Sequence, residues 1–255
     1  MMRPTHRHSA SSNGNDLEVE AKIREELEKK GGKPAPSLRH GEAAAASTTV
    51  SDAKASSFED AQVIGEQLAE ILTTSCSAGE AMPAEATELL RALVSSTSGA
   101  RGWFVTLLTN PDYDAVFEPP LDASFLDALC ASPDPNVRLM TMNVAMSTAT
   151  ELAHAANGNA DLAAGSALTK RRATVLVSEL LKEKGSDRLP GLREAVAALL
   201  QAVSMDEAAF EADRGRAGKK GGAETAVDEW VTFCKKWGYG AAQRDAIRKQ
   251  LEGLL

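Results

Sequence analysis

From Ser57 to Val203 the apolar residues recur every three to four positions, and nowhere do they alternate at strand period for more than a few residues. Ser57 opens the series as an N-cap with Asp60 three residues on, close to a capping box. Ile64, Leu68, Ile71 and Leu72 then fall on one helical face, and a second helix after Pro83 carries Leu89, Leu90, Leu93 and Val94. Asp122 caps a short helix bearing Phe125, Leu126 and Leu129, after which "SPDP" resets the chain. Residues 136–157 give the longest apolar helix, closed by "NGN", and 160–184 give another, stopped at Gly185. The clearest periodicity runs through Leu189, Leu192, Val196, Leu199, Leu200 and Val203. A final pair carries Val227, Trp230, Val231 and Cys234, then, past a "WGYG" turn, Ile247, Leu251 and Leu254.

The breaks in this pattern divide the chain. Residues 1–56 read as a disordered extension with one short charged helix, in which Val19, Ile23 and Leu27 make a stripe too narrow to bury alone. A helical bundle domain is expected over 57–205, a Gly/basic linker over 206–222 and a C-terminal helical hairpin over 223–255. The three prolines of 110–122 predict a loop. No self-similar period recurs, so the expected fold is all-α, an irregular multi-helix bundle with a C-terminal hairpin rather than a solenoid.

Composition sharpens this picture. Alanine is abundant and aromatics make up 4% of the chain, which favours helix and leaves few bulky groups for a core. A net charge of −8 argues against a whole-surface nucleic-acid binder. Cys76, Cys130 and Cys234 are far apart and lack metal-ligand spacing, so reduced thiols in an intracellular protein are expected, and no metal. No apolar run reaches the roughly 18 residues of a membrane span. The first fifteen residues lack the apolar segment of a secretory signal; they are basic and Ser-bearing like a transit peptide, but short, and read as a solvated tail.

Two concentrations of aromatic residues are the candidate sites. Five of eleven aromatics fall between 103 and 125, beginning in "SGARGWFVTLLT". Taken as one helix over 84–109, Gly99 and Gly102 leave a thin spot for another backbone. Arg101 between them would point away from Phe104 and Leu108, free to clamp a carboxylate or phosphate. A binding site here would draw on Arg101, Trp103 and Phe104, with Asn143 and His154 from the longest helix; the alternative is that these aromatics supply core bulk. That helix also carries Met140, Met142 and Met146, an adaptable surface. The second concentration is Trp230, Phe233, Trp237 and Tyr239, which either docks back on the bundle or meets a partner. The basic runs Lys170–Arg171–Arg172 and 214–220 interleave no aromatics and read as solvated faces, so nucleic acid is not the expected partner.

"GARGWFVTLLT", "NVAMSTATELAH" and "KRRATVLVSELL" together resemble an uncharacterised family of small helical proteins of cyanobacteria and photosynthetic eukaryotes, over about residues 80–182. The resemblance implies no activity and no catalytic residues; it points to a plastid, with the cytoplasm as the other location. Dinucleotide-fingerprint, P-loop, HExxH, EF-hand and GxSxG patterns do not occur. The expectation is a non-catalytic helical interaction protein, an assembly or regulatory factor that holds no cofactor and meets a protein partner. The alternative is a small-molecule or cofactor-binding protein, an enzyme included, with a pocket near Arg101, Asn143 and His154.

Overall fold

The computed structural model describes residues 48–182, 188–212 and 225–255. The expected charged helix over 16–30, the extension around it, the Gly185 stop and the 213–222 run lie outside these residues. Among the described residues there are eleven α-helices, one 3-10 run and no strand, so the fold is all-α. The helices are α1 (Val50–Lys54), α2 (Phe58–Ala78), α3 (Ala84–Leu93), α4 (Thr97–Thr109), α5 (Ala123–Cys130) and α6 (Pro133–Ala156). They continue as α7 (Ala160–Leu181), α8 (Leu192–Val203), α9 (Glu207–Ala212), α10 (Ala226–Lys236) and α11 (Ala241–Glu252). The described residues fall within one compact unit.

Local chemistry sets most of the boundaries. The Ser57 hydroxyl accepts from the Asp60 N–H at 3.1 Å and donates to the Asp60 carboxylate at 2.8 Å, starting α2, which ends on Gly79 at φ +69°. Asp122 has two roles: one carboxylate oxygen accepts from the Phe125 N–H at 2.7 Å to cap α5, and the other accepts from the Met82 N–H at 3.1 Å. A capping box of Thr49 and Asp52 starts α1 ahead of Ser57. Ala53 of that helix is fully buried and α1 packs on α3, so the ordered unit reaches into the stretch read as linker.

Residues 84–109 are two helices, not one, because the chain turns at Val94–Ser96. Gly99 makes the turn sterically open, since a Cβ there would fall against the Leu93 carbonyl oxygen. Gly102 lets α4 cross α2 closely: a Cβ would sit 2.5 Å from the Ala61 Cβ and 3.0 Å from the Phe58 carbonyl oxygen. The aromatics that follow close over this crossing. Trp103, Phe104 and Phe125 are essentially inaccessible, with Trp103 edge-on to Phe125 at 6.1 Å between centroids. Each such side chain contributes on the order of 1.5–3 kcal/mol by leaving water.

The proline-rich stretch is a 3-10 run (Pro111–Phe117) rather than an open loop, and it buries Tyr113, Val116 and Phe117. What holds it is Arg172 of α7, which is 0% exposed. Its guanidinium donates to the carbonyls of Leu107 (3.0 Å), Leu108 (3.3 Å), Asn110 (2.6 Å) and Pro111 (3.1 Å), and to Asp114 at 2.7 and 3.0 Å. It also lies over the Phe117 ring at 5.1 Å. The carbonyls that α4 leaves unpaired at its C-terminus are thus satisfied by one buried cation. Of the basic triplet expected on a solvated face, Arg172 alone is core; Arg171 is half exposed and pairs with Asp114 at 2.7 Å, and the partly exposed Lys170 pairs with Glu151.

α6 is the central helix and packs on α4, α5, α7, α8 and α11. Its first half is buried through Asn136, Met140, Val144 and Ala149. Beyond Ala149, and until Arg172 in α7, no residue is buried, so the two helices run on as a hairpin arm turned by Gly158 at φ +74°. The C-terminal pair docks on α8, and α11 also on α6, burying Trp230, Phe233, Cys234, Ile247 and Leu251. α9 falls within the expected linker and buries Phe210, over which the Arg244 guanidinium lies at 3.9 Å. Arg244 also donates to the Met205 carbonyl at 3.1 Å and pairs with Glu207.

Candidate functional site

A cleft of about 700 Å³ opens between α4, α6 and the end of α10. Helical spacing explains its walls. Thr97, Arg101, Phe104 and Val105 are one stripe of α4, and Pro135, Arg138, Leu139, Met142, Asn143 and Met146 are one stripe of α6. The third wall is Lys236 and Trp237, placed there because the buried face of α10 docks the hairpin on the bundle. The floor and sides are apolar, with Phe104 sealed, Val105 40% exposed and Trp237 48% exposed. The charged lining is Arg101, Arg138 and Lys236, against one carboxylate, Asp134.

The polar groups of the lining are engaged locally. The Asn143 amide donates to the Leu139 carbonyl at 2.9 Å within its own helix, and the Ser95 hydroxyl to the Ala92 carbonyl at 2.7 Å. Arg138 pairs with Glu229 at 3.2 Å and lies over Trp230 at 5.5 Å. Arg101 lies over the Phe58 ring at 5.2 Å. These stacks fix the long stems while leaving guanidinium N–H groups toward solvent.

Of the residues singled out from sequence, Arg101, Phe104, Asn143 and Trp237 line this cleft. Arg101 and Phe104 do not point apart, because residues three apart on a helix share a face. Trp103 is one step off that stripe and lies in the core, 0% exposed. His154 does not line the cleft; it lies eleven residues beyond Asn143 on the hairpin arm, about 16 Å along the helix axis. The pocket that would unite Arg101, Trp103, Asn143 and His154 is therefore not formed. Trp230 and Phe233 are buried, packed edge-on at 5.4 Å, and Tyr239 is half-buried against Phe233 at 5.8 Å. Of that aromatic group only Trp237 is left open.

Sequence reasoning passed over Arg138, Met146 as a wall, and Lys236. The α6 residues follow from extending the Met142–Asn143 stripe by one turn each way, a signal that was available. Among the described residues, no cluster of His, Cys, Asp and Glu gathers as metal ligands, and no helix is long and apolar enough to cross a membrane. Burial pushes the Cys234 thiol up to about 12, so this cysteine is a packing group with little thiolate character.

No curated protein and no solved structure matches the chain. Residues 57–212 match the family described as Uncharacterised conserved protein UCP020893. The matched span takes in α2 to α9, which includes two walls of the cleft, while α1 and the α10–α11 hairpin lie outside it. The match covers more than half of the sequence, and the chain belongs to this family of uncharacterised conserved proteins.

Proposed function

We propose that this chain is a non-catalytic helical interaction protein, an assembly or regulatory factor, whose cleft between α4, α6 and α10 receives a segment of a protein partner. The observation that carries the reading is the lining: an apolar, methionine-bearing trough of about 700 Å³, with an exposed tryptophan at its edge and cations around it. Exposed tryptophan and arginine beside an apolar floor are the residue types on which binding energy concentrates at protein interfaces. Methionines at 142 and 146 let such a trough adapt to its occupant. The Ser95 and Asn143 donors, engaged with their own helix carbonyls, favour a packing surface over reaction chemistry. The sequence resemblance to helical proteins of photosynthetic organisms supports a plastid location, with the cytoplasm as the alternative.

A second reading, a small-molecule site, is favoured by the same volume and by Arg101 and Asn143 sharing the cleft. One experiment separates the two. A photo-crosslinking side chain replaces Met142 in the full-length protein, or Leu162 on the hairpin arm as the comparison, and the protein is irradiated in cells of its source. The interaction reading expects a discrete protein adduct from position 142 that position 162 does not give. A tightly held organic compound, with no protein adduct from position 142, would overturn it in favour of the second reading.

A further inference from the structure

We infer that the occupant of this cleft is an acidic amphipathic helix presented by the partner. The inference rests on the interaction reading above and specifies the chemistry recognised. The chain as a whole carries a net charge of −8, yet its cleft is lined by Arg101, Arg138 and Lys236 with Asp134 as the single opposing carboxylate. Each cation comes from a different element: α4, α6 and the end of α10. Among the described residues no carboxylate pairs with Arg101 or Lys236. Arg138 meets Glu229 at 3.2 Å with both side chains half exposed, a pair of the kind that contributes little and that an incoming carboxylate can replace. A local positive field on an acidic protein steers acidic segments toward it.

The apolar floor then selects among acidic ligands. Val105, Leu139, Met142, Met146 and Trp237 offer area that a bare phosphate or a nucleic-acid backbone would leave unused. The stripe from Pro135 to Met146 runs for about 16 Å, the length of three helical turns. An occupant with apolar residues at i, i+3/i+4 and i+7 covers that length on one face. Carboxylates flanking its apolar stripe would meet the cations of the lining. Arg101 and Arg138, held by stacking on Phe58 and Trp230, present their N–H groups to those carboxylates with little further loss of freedom.

The test titrates full-length protein with three synthetic helical peptides: one with leucines at those positions and glutamates on both flanks, its glutamate-to-lysine counterpart, and a scrambled glutamate peptide. We expect the ordered glutamate peptide to bind, more weakly as salt is raised, and to lose at least about tenfold in affinity to the variant Arg101→Glu/Arg138→Glu/Lys236→Glu. That variant should prefer the lysine peptide. Helicity and slow Cys234 labelling check that it folds, and Met142→Gln, which makes the floor polar without changing the charge of the lining, should also weaken binding. Equal or better binding of the lysine or scrambled peptide to the unaltered protein would overturn the inference, as would glutamate-peptide binding that survives the triple reversal. Should no peptide bind while position 142 still cross-links a protein, the acidic helix is wrong and the interaction reading stands. If neither occurs, both fall.

Discussion

The two aromatic concentrations of this chain look alike in sequence and end differently. Trp103, Phe104, Tyr113, Phe117 and Phe125 are all sealed, and the turn they surround is fixed by a buried arginine, Arg172. Trp230, Phe233 and Tyr239 pack against one another on the docked hairpin, whose Arg244 holds α9, but Trp237 stays half exposed at the rim of the cleft. The difference lies in what each helix face meets. The first group sits where α4 and the 3-10 run pack on α2 and Trp103 of α4 meets Phe125 of α5, so the rings are enclosed. The second lies on a hairpin that docks through one side, and the ring one turn past Phe233 leans on Phe233 at 6.4 Å between centroids while its other side faces the cleft. Aromatic density marks where bulk is needed; it marks a surface only where packing runs out.

The comparison breaks first at the arginines. Arg172→Met should cost about 3–5 kcal/mol in urea unfolding of the full chain, because it strands several buried carbonyls with no donor and leaves Asp114 to Arg171 alone. Arg172→Lys should not restore it, since an ammonium cannot span the same fork. Arg244→Met should cost less, about 2 kcal/mol, because it loses one carbonyl and one exposed carboxylate partner. Its signature is local: Cys234, fully buried on the docked face of α10, should react with a thiol reagent much faster than in the unaltered protein. Equal costs for the two arginines would mean that the hairpin is as integral as the proline-rich turn.

A smaller effect is expected in acid. Hydrogen bonds from Arg172, and then from Arg171, hold the Asp114 carboxyl below the usual carboxylate range. The unfolded chain takes up that proton more readily, so the contribution is complete above the unfolded value of about 3.9 and is lost as pH falls through the lower folded value. Asp114→Asn should therefore lower Tm at neutral pH, and the difference from the unaltered protein should shrink once the pH drops below that value. Smallest for stability is Trp237→Ala, expected within about 0.5 kcal/mol because the ring is half exposed. Its effect should be on binding instead, which distinguishes it from the equally aromatic but buried Trp230.

Legibility followed locality. Ser57 with Asp60, and Asp122 with Phe125, could be read because a cap is decided by residues three apart. The apolar stripe of α8 could be read because it repeats on a single helix. Arg172 could not, because which member of "KRR" turns inward depends on a helix end some sixty residues earlier. Likewise the buried Asn136, whose amide donates to the Leu129 and Ser132 carbonyls at 2.9 Å, caps a neighbouring helix end that periodicity does not reveal. The cleft was half visible. Arg101, Phe104 and Asn143 were marked, but joining them to Trp237, and separating them from His154, required the register of α4 against α6 and the docking of α10.

Amide hydrogen exchange on the full-length protein, free and joined to the partner recovered through position 142, tests the central claim most directly. The account predicts slower exchange across 95–105, 134–146 and 233–237, with the hairpin arm from 150 to 171 unchanged. Protection confined to that arm, with the cleft exchanging as before, would contradict it.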